Sequence, residues 1–165
     1  MAALGTVNLG VGRTAVAISA GGLHTCALLD TGDVKCWGKN DKGQLGIGSE
    51  VNTPTPTTIS SLGTGRTAVS LATAMSTVCA LLDDGSVKCW GDDEYGQLGN
   101  GGTNIDLESP PASAINLGTG RTAKAITGGE FHFCAILDDD SIKCWGQGTN
   151  GKLGTGSTSP RATPP

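Results

Sequence analysis

The sequence predicts an all-β fold made from one unit that occurs three times. A Cys-to-Cys hairpin pattern recurs, Gly-Arg-Thr and Gly-x-Leu-Gly motifs recur with it, and helical periodicity is absent. Cys26 lies 53 residues before Cys79, which lies 55 residues before Cys134. Periods of this length are typical of β-propellers and solenoids.

Each unit centres on a β-hairpin. The second copy reads Cys79-Ala-Leu-Leu-Asp-Asp-Gly-Ser-Val-Lys-Cys89-Trp-Gly, an apolar run, a polar turn and a second β-rich run. A three-residue turn with Gly85 in the left-handed position of a bulge places Cys79 opposite Cys89. A two-residue turn would place Cys79 opposite Trp90 instead. The third copy has Asp140 where the others have glycine, and aspartate tolerates this conformation better than most residues.

In this register the six cysteines form three facing pairs. Directly opposed residues of antiparallel strands have Cα atoms about 4.5–5.5 Å apart, within or close to the range of a disulfide. We therefore predict the disulfides Cys26–Cys36, Cys79–Cys89 and Cys134–Cys144. Disulfides indicate an oxidising compartment, so we expect a secreted or cell-surface protein, although the segment Met1-Ala-Ala-Leu-Gly5 shows no signal peptide.

Zinc is the competing interpretation of the cysteines. Nine residues separate the cysteines of a pair, which is not the short spacing of a zinc knuckle. His24 and His132 each lie two residues before a cysteine, but the second unit has Thr77 there. We therefore predict no metal and no cofactor.

The charge balance excludes two classes of partner. The chain has 11 basic and 15 acidic residues, a net charge of −4 and a pI of about 5.0. This balance argues against a nucleic-acid partner and against a polybasic contact with a membrane. No apolar run approaches 18 residues, so no transmembrane helix is predicted.

Three strands per unit follow directly from the pattern. A first strand comes after the Gly-Arg-Thr turn, and the hairpin supplies two more. The first strands are expected at Ala15–Ala20, Ala68–Thr73 and Ala123–Thr127. A short fourth strand is expected at 7–9, 58–61 and 114–117. The hairpin strands carry apolar residues on both faces, which is typical of a sheet covered on both sides.

Residues 21–46 read Gly-Gly-Leu-His-Thr-Cys-Ala-Leu-Leu-Asp-Thr-Gly-Asp-Val-Lys-Cys-Trp-Gly-Lys-Asn-Asp-Lys-Gly-Gln-Leu-Gly. This pattern resembles a repeat of the regulator of chromosome condensation family, and the resemblance covers essentially the whole chain. It implies that each repeat contributes one four-stranded blade of a β-propeller, a fold that is usually seven-bladed in this family. The paired cysteines resemble the disulfide-bearing version in bacterial extracellular proteins. The implied repeats are approximately 12–64, 65–119 and 120–165, with 1–11 completing a neighbouring blade.

Several recurring residues have both a structural and a functional interpretation. Trp37, Trp90 and Trp145 could line a ligand surface, but one large residue per repeat favours packing between blades. The run Asp92-Asp93-Glu94 could hold Ca²⁺, but its counterparts Lys39-Asn40-Asp41 and Gln147-Gly148-Thr149 would not, which favours a solvated loop.

The histidines and arginines also have structural interpretations. His24 and His132 have no free nucleophile as a partner, so each is expected to bond a loop carbonyl. Arg13, Arg66 and Arg121 are expected to hold carbonyls or acidic loops, with an anion site as the less favoured alternative.

These residues favour a non-enzymatic propeller module that presents loops to a protein partner. The resemblance supports this, since relatives include a chromatin-associated nucleotide-exchange factor and a secreted β-lactamase inhibitor. A carbohydrate- or small-ligand-binding module is the alternative. An enzyme is the weakest hypothesis, because no nucleophile–base pair or closed metal set is visible.

Three blades cannot close a propeller, because such rings have four to eight blades. Two chains would supply six blades, while three chains would exceed the range. An open arc would expose the apolar faces of its first and last blades. We therefore predict a two-fold symmetric homodimer that forms a six-bladed ring.

Overall fold

The computed structural model describes residues 5–165, and within this range ten strands form three antiparallel sheets. The first sheet contains β1 (Ala15–Ala20), β2 (His24–Leu29), β3 (Val34–Gly38) and β4 (Thr53–Thr58). The second contains β5 (Ala68–Thr73), β6 (Thr77–Leu82) and β7 (Val87–Gly91). The third contains β8 (Ala123–Gly128), β9 (His132–Leu137) and β10 (Ile142–Gly146). A 3₁₀ turn at Thr149–Gly151 interrupts the last loop. The predicted all-β fold is confirmed.

The predicted hairpin register is present in all three sheets. In the second, Cys79 lies opposite Cys89, and the Gly85 N–H donates to the Leu82 carbonyl at 2.9 Å across the turn. Gly85 has a φ of +77°, which a residue without a Cβ adopts freely. Asp140 takes its place in the third turn with a φ of +66°.

Each facing pair of cysteines is joined by a disulfide. The three bonds are Cys26–Cys36, Cys79–Cys89 and Cys134–Cys144, each with Cα atoms 4.1 Å apart. The described part of the chain contains no free cysteine.

The predicted positions of the fourth strands are wrong. Segments 7–9 and 114–117 are not strands, and β4 lies largely before the predicted segment 58–61. In the second and third sheets an isolated bridge takes the place of a fourth strand, between Gly91 and Leu107 and between Gly146 and Arg161. The blades of this chain therefore have three or four strands.

The spacing of the prolines accounts for the difference between the first and second sheets. In β4, Pro54 and Pro56 alternate, so their missing N–H groups fall on one side of an edge strand and leave the other side free to pair. After the bridge at Leu107, Pro110 and Pro111 are adjacent, so one of them would have to face β7. A continuous fourth strand is therefore blocked in the second sheet.

The core lies where one sheet packs on the next. The first junction buries Leu28 and Val34 of the first sheet against the second, and the second junction repeats this arrangement with Leu81 and Val87. Opposite them lie the apolar residues of the following sheet, Val78, Ala80, Leu82 and Trp90 at the first junction and Phe133, Ala135, Leu137 and Trp145 at the second. The disulfides of the first two sheets lie in these same clusters. Each blade thus has a leading face with a tryptophan and a trailing face with a disulfide.

Candidate interaction surfaces

A tryptophan closes each junction inside the chain. Trp90 and Trp145 are fully buried, and their indole N–H groups donate to the carbonyls of Gln44 and Gln97 at 3.1 and 3.0 Å. The Gly-Gln-Leu-Gly loop of one blade therefore receives the tryptophan of the next. A Cβ at Gly46 would lie 2.6 Å from the Trp90 Nε1, so glycine is required beneath the ring.

Backbone hydrogen bonds repeat from the first junction to the second. Near the centre, the Gly22 N–H donates to Met75 O at 3.0 Å, and the Met75 N–H donates to Glu130 O at 2.8 Å. The other repeated pairs are Gly48 to Glu108 and Gly101 to Ala162 in the outer loops, and Ala68 to Gly32 and Ala123 to Gly85 at the hairpin turns. Two junctions with the same bonds define what a complete junction contains.

The leading face of the first blade has no blade before it among the described residues, and although Ala27 and Leu29 on this face are buried, its tryptophan is not. Trp37 is only half-buried and lines an open cavity of about 540 Å³ with Lys35, Pro54 and Pro56. It therefore differs from Trp90, although both close equivalent hairpins. Packing between blades, as the sequence indicates for all three tryptophans, exists within the chain at two of them.

The trailing face of the third blade is open as well. Ile136 is 42% exposed, whereas its counterpart Leu81 is 3% exposed; Ile142 is 67% exposed, whereas Val87 is 0% exposed. The isoleucines line a cavity of about 230 Å³ together with Cys134, and that disulfide is half-buried rather than sealed. The first two blades have the same apolar trailing face, but there the following blade covers it.

One end of the three sheets, here called the loop end, carries the turns 21–23, 74–76 and 129–131 and the long loops after β3, β7 and β10. Backbone bonds tie each long loop to its turn, as from the Lys39 N–H to Leu23 O at 2.9 Å. The three turns surround a groove of about 290 Å³. Leu23 is 68% exposed and Met75 is 40% exposed beside it, while Tyr95 and Phe131 meet edge to face at 5.4 Å.

The opposite end, here called the hairpin end, carries the turns 30–33, 83–86 and 138–141. Its arginines are neutralised within their own blades, as expected from the sequence. Arg66 Nη1 lies 3.3 Å from Asp83 and 3.1 Å from Asp84, and Arg121 contacts the equivalent pair in the third blade. These exposed pairs hold the arginines against their own turns and contribute little to stability.

The acidic run of the second loop is buried, so its prediction as a solvated loop is wrong for Asp92 and Asp93. Lys42 of the first blade spans the junction, with Nζ 2.9 Å from Asp106 and 3.7 Å from Asp92. The Asp106 carboxylate, through its hydrogen bond, raises the pKa of Lys42. Burial raises the pKa of Asp92, and the nearby Asp106 charge adds to this.

Asp93 occupies the place that Asn40 has in the first loop. The Asn40 amide donates to Ser49 O and Val51 O while its carbonyl accepts the Leu45 N–H. Asp93 accepts the Leu98 N–H in the same way, but its Oδ2 has no hydrogen-bond partner among residues 5–165. Burial therefore raises the pKa of Asp93 to about 6. The sequence comparison of the two loops could have revealed this carboxyl.

The histidines do not bond loop carbonyls as expected. His24 is buried, and neither ring nitrogen has a hydrogen-bond partner in the described part of the chain. Burial lowers the pKa of His24 to about 4 and also lowers the pKa of the more exposed His132. In the second unit the Thr77 hydroxyl donates to Asp92 O at 2.8 Å instead.

Neither a metal centre nor a membrane span emerges from residues 5–165. No group of three or more His, Cys, Asp or Glu side chains is arranged to hold a metal ion. No helix there has the length and hydrophobicity that crossing a bilayer requires.

The sequence is similar to those of known repeat proteins. Sequence models of the Regulator of chromosome condensation (RCC1) repeat match residues 15–44, 76–97 and 123–152, and a second such model matches 31–81. The ultraviolet-B receptor UVR8 of Arabidopsis thaliana is 36% identical over 155 residues, 92% of this chain and 34% of that protein. The E3 ubiquitin-protein ligase HERC2 of Homo sapiens is 35% identical over 143 residues, 87% of this chain and 3% of that protein. The chain thus spans about a third or less of these relatives.

Solved structures share the fold. Yeast RCC1 (Prp20), in its complex with Kap60, superposes with a TM-score of 0.75 at 20% identity over 91% of this chain and 36% of that one. Human WBSCR16 superposes with a TM-score of 0.57 at 21% identity over 91% of this chain and 52% of that one. The three sheets are therefore β-propeller blades, as the sequence predicts.

Proposed function

The chain belongs to the regulator of chromosome condensation (RCC1) repeat family, and on that premise we propose that it is a non-enzymatic propeller scaffold that binds protein partners, including a second copy of itself. Its repeats would be 12–64, 65–119 and 120–165. The yeast relative RCC1 (Prp20) is bound to Kap60 in one solved structure and has binding properties to Gsp1p and histones. Protein binding by the present chain is a proposal drawn from that likeness and from its own surface.

The proposal depends on one observation at the loop end: the residues that fix the backbone recur from blade to blade, whereas the exposed side chains differ. Glycines, tryptophans and cysteines recur from blade to blade, whereas the exposed turn positions do not. Leu23, Ser76 and Phe131 are equivalent positions, as are Gly22, Met75 and Glu130, and Lys42, Tyr95 and Asn150. A rigid frame that displays different side chains around one groove favours recognition of a partner.

The chemistry of this end favours a partner with apolar and basic side chains. Leu23 and Met75 offer exposed apolar surface beside the groove, and Phe131 extends it. Glu94 and Glu130 are exposed beside them, and neither has an ion-pair partner within residues 5–165. A protein segment with an apolar side chain flanked by Lys or Arg would complement both features.

The three disulfides also support an extracellular location, because such bonds persist in oxidising compartments. A partner in the same compartment would be a secreted protein or the exposed part of a surface protein. A carbohydrate ligand in the same compartment is the alternative, and binding to a glycan array tests it.

Selection from a random peptide library against the immobilised chain tests the proposal. Peptides with basic and apolar residues should be enriched, and they should bind a loop-end double variant, Met75→Gly with Phe131→Ser, at least about tenfold more weakly. Both substitutions copy equivalent positions of other blades, Gly22 and Ser76, so the frame should be kept.

A hairpin-end variant, Asp84→Thr, is the matched control, because it copies Thr31 of the first blade. It should bind the selected peptides like the parent chain. Peptides that bind the loop-end variant equally well would contradict the assignment of this surface. Binding on a glycan array that the loop-end variant loses would favour the carbohydrate alternative.

A further inference from the structure

The outer edge of β7 is paired at its two ends but not in its middle. At one end Gly91 exchanges backbone hydrogen bonds with Leu107, at 2.9 and 3.0 Å. At the other end the Ile115 N–H donates to Val87 O at 2.9 Å. Cys89 lies midway between these anchors, and no residue of 5–165 pairs with it on this side. In the first sheet β4 occupies the equivalent position, so the second sheet has a gap in place of the middle of a fourth strand.

The peptide groups of Cys89 point into this gap. Cys79 and Cys89 have Cα atoms 4.1 Å apart, close to the spacing of a non-hydrogen-bonded pair of antiparallel strands. The N–H and C=O of Cys89 are therefore directed away from β6, and neither has a hydrogen-bond partner in the described part of the chain. Its counterpart Cys36 pairs with Thr57 of β4. Buried backbone groups are almost always bonded, so an unpaired donor and acceptor on a residue that is 1% exposed indicate a missing partner.

The loop that connects the two anchors does not fill the gap. Five residues, 54–58, connect the equivalent anchors of the first sheet, whereas seven residues, 108–114, connect those of the second. The adjacent Pro110 and Pro111 prevent the longer loop from continuing along β7 as a strand. A cavity of about 360 Å³ is left between this loop and the edge of β7. Its volume is within the range of ligand-binding sites.

The cavity has an apolar floor and an uncharged polar rim. Cys89, Leu98 and Ile115 form the floor, and all three are buried. None of the lining residues is charged, and the exposed polar ones are Asn100, Ser113, Asn116 and Thr163. The two anchors on β7 are four residues apart, about 13 Å in an extended strand, which leaves room for about three extended residues.

We infer that this gap binds a short extended peptide, one residue of which pairs with Cys89 as Thr57 pairs with Cys36. A residue of an extended chain presents its N–H and C=O on one side, so it satisfies both groups of Cys89 at once. The N–H and C=O of a single trans amide point in opposite directions, so an N-acetyl sugar satisfies only one of them. Because no charge lines the cavity, small or apolar uncharged side chains fit it best. The site shares no lining residue with the loop-end groove and is a second binding surface beyond the proposed function.

Titration of the oxidised 165-residue chain with the blocked peptide acetyl-Pro-Thr-Thr-amide, followed by amide NMR, tests the inference. This peptide copies residues 56–58 of β4, and its central threonine corresponds to Thr57. The amide resonance of Cys89 should shift, and its hydrogen exchange should slow at least about fivefold at saturation, because the N–H gains an acceptor. The same peptide methylated on the nitrogen of its central threonine should bind at least about fivefold more weakly, because Cys89 O then stays unpaired.

Ala114→Trp should fill the cavity and abolish binding, whereas Ala112→Trp is the matched control, because Ala112 is exposed in the same loop but does not line the cavity. The loop-end variant, Met75→Gly with Phe131→Ser, should bind this peptide like the parent chain, so either surface can fail without the other. No shift at Cys89 with the peptide at up to about 5 mM, or equal binding of the methylated peptide, would overturn the inference. An equal shift with N-acetylglucosamine would also overturn it, because a single amide would then suffice.

Discussion

Trp90 and Trp37 close equivalent hairpins, yet one is sealed and the other half-exposed. The same contrast holds for Val87 and Ile142 on the opposite faces of the blades. The local sequence is nearly the same in each case, so burial depends on what lies beside a blade. The internal junctions show how a blade is covered, and the outer faces show a blade that is not.

The difference has an energetic consequence. A repeat array gains stability from each blade and from each interface between neighbours. Among the described residues two such interfaces are complete, whereas Trp37 of the first blade and the trailing face of the third blade are not covered in this way. Mutations at equivalent positions should therefore have unequal effects, and these inequalities are measurable.

The largest expected effect is at the tryptophans. Trp90→Ala should lower the free energy of unfolding by about 3–5 kcal/mol, the usual cost of truncating a buried aromatic residue. Trp37→Ala should cost about 1–2 kcal/mol in dilute protein, because its side chain buries less apolar area. Urea denaturation at about 1 µM measures both values.

Trp145→Ala is the matched control and should resemble Trp90→Ala, since both rings are fully buried. Equal costs for Trp37 and Trp90 in dilute protein would contradict the difference between inner and outer faces.

The hairpins could be predicted from the sequence because their signals are local. Turn length and strand alternation set the register, and the register places Cys79 opposite Cys89. The exposure of Trp37 could not be read from its own repeat, because it depends on a neighbouring blade. The burial of Asp93 and His24 likewise depends on how loops fold over them, and their charge suggested the opposite.

Two buried groups should produce opposite responses to pH. The pKa of His24 is about 4 when folded, so the unfolded chain takes up a proton first and stability falls between pH 6.5 and 4. The pKa of Asp93 is about 6 when folded, against an ordinary value near 4, so the folded chain takes up a proton first and stability rises between pH 6 and 4. Each effect is about 2–3 kcal/mol, so the parent chain should change little between pH 7 and 4.5.

Two substitutions that copy equivalent residues of the other repeats separate the histidine and aspartate contributions to stability. His24→Thr copies Thr77, and it should make the protein more stable at pH 4.5 than at pH 7. Asp93→Asn copies Asn40, and it should make the protein less stable at pH 4.5 than at pH 7. Urea denaturation at the two pH values measures the sign. Burial also lowers the pKa of His132 and raises the pKa of Asp92. Stability therefore changes with pH at these two residues in the same directions as at His24 and Asp93, respectively. Equal pH slopes in the two variants would contradict the assignment.

The smallest effect on stability is expected at the third disulfide. Cys26–Cys36 and Cys79–Cys89 are buried by the following blade, whereas Cys134–Cys144 lies half-buried on the open trailing face. Access governs the rate of thiol–disulfide exchange, so a mild reductant should open the third bond about tenfold faster than the other two in dilute protein. Its loss should cost about 1–2 kcal/mol, because it closes a short loop within a sheet.

Mass spectrometry of alkylated peptides identifies which bond opens. If two copies cover the trailing face, raising the protein concentration should slow reduction of Cys134–Cys144 and leave the other two rates unchanged. Ile142→Glu should abolish this protection, because it places a charge on the trailing face while the blade stays folded. Equal reduction rates at all three disulfides in dilute protein would mean that the trailing face is covered within a single chain, and the contrast between inner junctions and outer faces would then be wrong.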